Sequence, residues 1–386
     1  MFLMKNDNWR IGVLFSQSGA TAAVEQTMIN GSILAMEEIN QAGGVLGRPL
    51  SYTHYDPGSS PKKYQEYARR LLIEDNVKII FGCYMSSCRK AVLPEIETHH
   101  GLLFYPTVYE GFEYSSRCFY TGATSNQGAP ELVQYLTKNY GNNLILVGSN
   151  YVFPYQYNRV ISDLVIQSNG KILDELYIPI EAKSSDFKRT IKQIAKLKPD
   201  AIISTLVGDG IGLFYEAFKN AGFDSARMPI ASVATSEAEL AQVGLGVATG
   251  HLSSTPFFET LQTPEAIRFV KAYKARFGAD APVTACAEAA YFQIHLYANA
   301  LEKAASDSPE KIALQLPQLA FNAPQGQIRI DPLTHHTELW PRIGRVNSQN
   351  KFDIVWESKK SVKPDPYFVA PLFDEWSAAN VLLQIE

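Results

Sequence analysis

The sequence predicts an α/β protein built as two doubly wound parallel-sheet lobes joined by crossing strands. Three observations lead there. Short, near-continuous apolar runs recur along the chain, as strands covered on both faces do. Segments of helical periodicity separate them, and such β-α-β-α alternation calls for right-handed crossovers and a parallel sheet. The alternation also runs twice, over residues 9–120 and again over 143–253. No long Ser/Gly linker parts the two sets.

The elements follow in order. Ile11–Phe15 predicts the first strand. In the helix after it, Val24, Met28, Gly31, Ala35 and Ile39 share one face, with Gln26, Asn30 and Glu37 roughly opposite. The small Gly31 and Ala35 predict a helix backbone lying close to the sheet. Further apolar runs, at Val77–Phe81, Leu144–Val147 and Ala201–Ser204, predict buried strands. Helices are expected at Pro61–Glu74, Ser87–Thr98, Asn126–Asn139, Phe187–Leu197, Gly212–Ala221, Pro264–Phe277 and Ala287–Lys303. After Pro324 the pattern turns to strand-like pieces, Gln327–Ile330, Ile343–Val346 and Phe352–Trp356, and then a tail broken by Pro364 and Pro366. The expected division is 1–122 plus 254–330 for one lobe and 123–253 plus 331–386 for the other, with a ligand cleft between them.

Composition narrows the function. The 386 residues are 46% hydrophobic and 19% charged, which excludes a disordered regulator or a charge-dominated coiled coil. Thirty-five basic against 39 acidic residues leave a net charge of −4, with basic doublets scattered. That offers no broad footprint for nucleic acid or anionic lipid. No apolar run approaches the ~20 residues of a membrane span. Met1-Phe2-Leu3-Met4-Lys5 gives way at once to Asn6-Asp7-Asn8, unlike a secretory signal. A cytoplasmic protein is therefore expected, or a periplasmic one if an export signal is missing from this chain. Cys83, Cys88, Cys118 and Cys286 form no disulfide framework, and C-x4-C is neither a redox pair nor a zinc knuckle.

In open α/β sheets, ligands bind at the carboxyl ends of strands. The loops expected there are Ser16–Gly19, Gly82–Ser87, Tyr105–Tyr109, Ser149–Pro154, Leu206–Asp209 and Ala234–Glu237. They are rich in Tyr, Ser and Thr and poor in formal charge. Tyrosine supplies a flat apolar wall with a polar tip, and hydroxyls donate or accept. Such a cleft suits a small, neutral, polar ligand. Enzyme signatures are missing: no GxxxxGK[ST], HExxH or GxSxG occurs. Gly208-Asp209-Gly210-Ile211-Gly212 reads GxGxG rather than a dinucleotide fingerprint. His99-His100 and His335-His336 read as surface histidines rather than a metal site. An amidase using Cys83 would need a base that nothing nearby marks. Neither catalysis nor a cofactor is expected.

The run from Gly31 to Leu50, with its Glu37-Glu38-Ile39-Asn40-Gln41-Ala42-Gly43-Gly44 turn, resembles type I periplasmic binding proteins of the branched-chain amino acid class. Ala287-Glu288-Ala289-Ala290-Tyr291 and Ala323-Pro324-Gln325-Gly326 are further landmarks, so the resemblance spans nearly the whole chain. Two branches lie close: urea and short-amide binding subunits of ABC importers, and cytoplasmic amide sensors that negatively regulate aliphatic amidase operons. Gly82–Ser86, Arg89–Val92, Tyr105-Pro106-Thr107, Tyr109–Ser115, Thr235–Glu239 and the tail Asp365-Pro366-Tyr367 with Asp374, Trp376 and Ser377 look like the sensors. The resemblance implies the periplasmic binding protein-like I fold and a short aliphatic amide or urea as ligand. It also implies an RNA-binding antiterminator as protein partner. By the same resemblance Tyr84, Ser86, Tyr105, Thr107, Tyr151 and Val207 line the amide site, with Val108, Phe153 and Glu237 as further candidates. Phe153 stands where the sensors carry a second Tyr, and Val108, where Pro is expected, and Leu206 are further departures at the pocket wall. These departures bear on ligand preference, which one methylene shifts by only ~1–3 kcal/mol. Self-association is left open.

Overall fold

The computed structural model describes residues 8–369. The N-terminal run Met1–Lys5 and the tail landmarks Asp374, Trp376 and Ser377 lie outside the described residues.

The first lobe runs β1 (Trp9–Leu14), α1 (Ala22–Gln41), β2 (Leu50–His54), α2 (Pro61–Ile73), β3 (Ile79–Gly82), α3 (Ser86–Thr98), β4 (Leu102–Tyr105) and β5 (Cys118–Tyr120). Its five strands form a parallel sheet in the order β2-β1-β3-β4-β5. The second lobe runs α4 (Ala129–Asn139), β6 (Asn143–Ser149), α5 (Val152–Gln167), β7 (Lys171–Ile178), α6 (Phe187–Leu197), β8 (Ala201–Thr205), α7 (Gly210–Asn220), β9 (Ile230–Ser232), α8 (Glu237–Leu240) and β10 (Leu252–Thr255). The chain then returns to the first lobe with α9 (Pro264–Phe277), α10 (Ala285–Ala304) and α11 (Pro309–Gln315). A small hairpin, β11 (Ala320–Ala323) and β12 (Gly326–Arg329), follows. Finally β13 (Arg342–Val346) and β14 (Phe352–Glu357) add antiparallel strands to the second sheet, whose order is β14-β13-β10-β9-β8-β6-β7.

The strands β1, β3, β6 and β8 form where the four apolar runs predict them, because a strand covered on both faces has no polar side to show; β4 and β5 lie outside those runs. β3, β4 and β5 are buried at every residue. Three details differ from the sequence reading. The small face of α1 packs on α10 rather than on the sheet: a Cβ on Gly31 would stand 2.3 Å from the carbonyl oxygen of Ala287. The stretch 152–167, read as a loop at its start, is the helix α5; its Pro154 falls in the first turn, where a missing N–H costs nothing. His336 is not a surface residue, and His335 is half-buried. His336 is fully buried, its ring stacked on Tyr120 at 4.1 Å, and burial lowers its pKa to about 3.

The crossings also differ in detail from the expected boundaries. Ser254 and Thr255 still pair with Ile343 and Arg342 in the second sheet, whereas His336 bridges to Tyr120 at the edge of the first. Three segments therefore connect the lobes, near 121–128, 256–263 and 331–341. Side chains lace them together. Gln127 Nε2 donates to the carbonyls of Thr337 (2.9 Å) and Val362 (2.7 Å), and the Arg342 guanidinium donates to those of Pro256 and Gln325.

Candidate functional site

The loops at the carboxyl ends of both sheets face one another. Tyr84 and Ser86 follow β3, Thr107 follows β4, Tyr151 follows β6, and Val207 follows β8. On the first-lobe side two hydroxyls tie to the backbone of the loop after β3. The Tyr105 hydroxyl donates to the Tyr84 carbonyl at 2.7 Å, and Thr107 Oγ1 donates to the Cys83 carbonyl at 3.4 Å. Ser86 opens α3, whose N-cap is Met85, so no side chain caps the helix and its first N–H groups have no intrahelical acceptor. From the second lobe, Tyr151 packs against the hydrophobic cores of both lobes, and Val207 lies within the core of the first. Those contacts bring the two faces together.

Beneath Ser86 lies a buried ionic cluster that the sequence reading did not identify. Arg89 is fully buried, with its guanidinium 4.7 Å from the Tyr105 ring centre and 4.5 Å from that of Tyr109. It pairs with Glu110 at 3.0 Å and Glu113 at 2.7 Å, and Lys90 completes Glu113 at 2.6 Å. Burial works to raise the Glu113 carboxyl, yet Arg89 and Lys90 bring it below its ordinary range. The Ser86 hydroxyl donates to Glu110 Oε2. One signal was available: Ser86 and Arg89 stand three apart on a helix and so share a face.

A cavity of about 60 Å³ lies beside this wall, where the lobes meet the crossing segments. At ~10–15 Å³ per water it has room for about four to six waters or a ligand of a few heavy atoms. Tyr84, Val108 and Glu237 line it, with Thr235, Cys286 and Glu288. Ser86, Tyr105, Thr107, Tyr151 and Val207 are not among the residues lining this cavity. Phe153 belongs to the core of the second lobe, packed between Tyr151 and Tyr157.

The expectation of an uncharged cleft needs correction, because two carboxyls border the cavity. Burial pushes Glu237 up to about 8, against the single backbone N–H it accepts from Glu259 at 3.0 Å. Burial also pushes Glu288 up to about 8, opposed by the side-chain and backbone N–H groups of Gln325. Both are therefore held largely neutral near pH 7, so the cavity stays polar and weakly charged. Cys83, Cys88 and Cys118 are buried and their thiols are shifted upward by that burial, the opposite of an activated nucleophile. Among the described residues no helix is long and apolar enough to cross a membrane, and no group of three or more His, Cys, Asp or Glu could hold a metal ion.

Comparison with known proteins places this architecture. The leucine-, isoleucine-, valine-, threonine- and alanine-binding protein of Pseudomonas aeruginosa is 26% identical over 337 residues, 86% of this chain and 87% of that protein. Among solved structures, the solute binding protein of an ABC transporter from Rhodopseudomonas palustris BisB5, in complex with 3,4-dihydroxybenzoic acid, superposes with a TM-score of 0.84. It is 18% identical and covers 93% of this chain and 99% of its own. The branched-chain amino acid transporter substrate binding protein of Streptococcus pneumoniae, in complex with isoleucine, gives 0.81 at 20% identity, covering 92% and 100%. The model of the periplasmic binding protein domain matches residues 9–371, and the chain belongs to that family.

Proposed function

We propose that this protein is a receptor for short aliphatic amides, which bind between its lobes, and that it regulates amidase expression by sequestering an RNA-binding antiterminator. The observation that carries the ligand class is the cavity of only about 60 Å³, lined by Tyr84 and Thr235 together with the two largely neutral carboxyls Glu237 and Glu288. A space that size favours a ligand of a few heavy atoms over a benzoate or a branched amino acid. Ligand shifts an open–closed equilibrium only through tighter contacts in the closed form. The resemblance of the Tyr84, Tyr105 and Glu237 segments to amide sensors supports the regulatory role and the partner. Calorimetry with acetamide, butyramide and urea tests the ligand: micromolar binding of an amide is expected, and no binding of any of the three below millimolar concentration would refute it. Co-purification with an antiterminator, released by amide, tests the partner.

A second reading, a binding subunit for urea or amide import, is favoured by the family match and by the transport names of the similar structures. Cell fractionation separates the two, since recovery in a periplasmic extract supports import.

A further inference from the structure

We propose that Glu237 selects primary amides, its carboxyl group pairing with the amide group through one hydrogen bond in each direction. The inference rests on the amide reading above and names the class of amide that the site takes. Glu237 and Glu288 both line the cavity, but only one has an oxygen to spare. Gln325 occupies both oxygens of Glu288, with its backbone N–H at 3.2 Å and its Nε2 at 2.8 Å. Glu237 is buried, and its Oε1 accepts the Glu259 N–H at 3.0 Å. Among the described residues no other residue donates to its Oε2. Glu259 borders a separate outer groove and not the cavity, so Oε1 is turned toward the groove and Oε2 is the oxygen left for the cavity.

Its surroundings keep this carboxyl protonated. Lys274 and Lys351 both pair with Glu259, at 2.9 and 3.4 Å, and among the described residues no ion pair includes Glu237. The carboxyls of Glu259 and Glu239 add repulsion, and burial does the rest, so its pKa rises to about 8. Tyr84, Cys286 and Glu288, which share the cavity lining, are themselves shifted upward by burial and bring no cation. In a neutral acid the accepting oxygen is the carbonyl, so the proton sits on Oε2. A primary amide carries one N–H on the same side as its oxygen. Its oxygen takes the Oε2 proton, and that N–H goes to the second lone pair of Oε1. A secondary amide is trans and turns its N–H away from its oxygen, so it makes only one of the two bonds and leaves a buried polar group unpaired.

Calorimetry with propionamide and N-methylacetamide, isomers of one composition, tests the inference on the wild-type protein. Propionamide should bind about tenfold tighter or more. Its affinity should also fall about tenfold between pH 7 and pH 9 as Glu237 ionises, with circular dichroism confirming the fold at both. Glu237→Gln keeps one donor and one acceptor but cannot titrate, so its affinity should hold within about threefold over that range. The isomer comparison needs no variant, so it decides the matter alone if Glu237→Gln does not fold. Equal binding of the two isomers, or a pH profile that folded Glu237→Gln does not flatten, overturns the inference, while propionamide binding keeps the amide reading. Failure of acetamide, propionamide, butyramide and urea alike to bind overturns both.

Discussion

The backbone N–H of Asp209, in the second lobe, donates to the carbonyl oxygen of Ala20, in the first, at 3.1 Å. Gly208 makes the approach possible. Its φ is +64°, and a Cβ there would stand 2.2 Å from that same oxygen. Gly208→Val should therefore hold the lobes apart. A larger radius of gyration by small-angle scattering is expected, with amide affinity reduced about tenfold because the closed state is less populated. An unchanged radius would show that closure does not depend on this contact.

Arg89→Leu should destabilise the fold by about 3–5 kcal/mol, because Glu110 would be left buried without its cation. Lys90→Ala, by contrast, should cost under about 1 kcal/mol, since its side chain is 41% exposed. Urea denaturation of the two variants side by side checks the contrast.

Stability should decline as pH rises from about 4.5 through 8. Glu237 and Glu288 are raised to about 8, and Glu25 and Glu239 to about 7, chiefly by burial. An acid whose folded pKa lies above its unfolded value contributes stability below the unfolded value and loses it through the folded one. His251 and His336, lowered to about 3 by burial, act at the other end: their contribution is complete above about 6.5 and is lost as pH falls toward 3. Glu237→Gln should flatten the alkaline decline, with the difference in unfolding free energy from wild type growing by on the order of 1 kcal/mol per pH unit in that window. Thermal melts at pH 5, 7 and 9 provide the measurement.

Gly31→Val should cost about 1–3 kcal/mol or more, because its side chain would enter the backbone of α10 at Ala287. Ala35→Gly at the same seam should cost only about 1 kcal/mol, the helix-propensity difference. Melting curves separate an overpacked seam from a merely weakened helix.

Much of the fold was legible because strand burial and helix periodicity are local signals. β1, β3, β6 and β8 announce themselves through apolar runs, and α6 and α9 match their expected bounds at both ends. α5 was obscured by Pro154, which reads as a breaker until its place in the first turn is known. The hydroxyl loops were legible as a class, since their place follows from topology. The charges were not. Whether Glu110, Glu237 or Glu288 is buried depends on partners 21, 22 and 37 residues away (Arg89, Glu259 and Gln325), and no window of sequence reports those encounters.

The late arrival of β13 and β14 bears on how the chain is made. During synthesis β10 emerges about ninety residues before the strand that covers its open side, Leu252 pairing with Arg345. Until then the nascent second sheet ends in a bare edge, the kind of surface that recruits strands from other chains. A ribosome-bound chain halted before residue 342 should bind chaperone and resist folding, and release past residue 357 should complete the second lobe in one step.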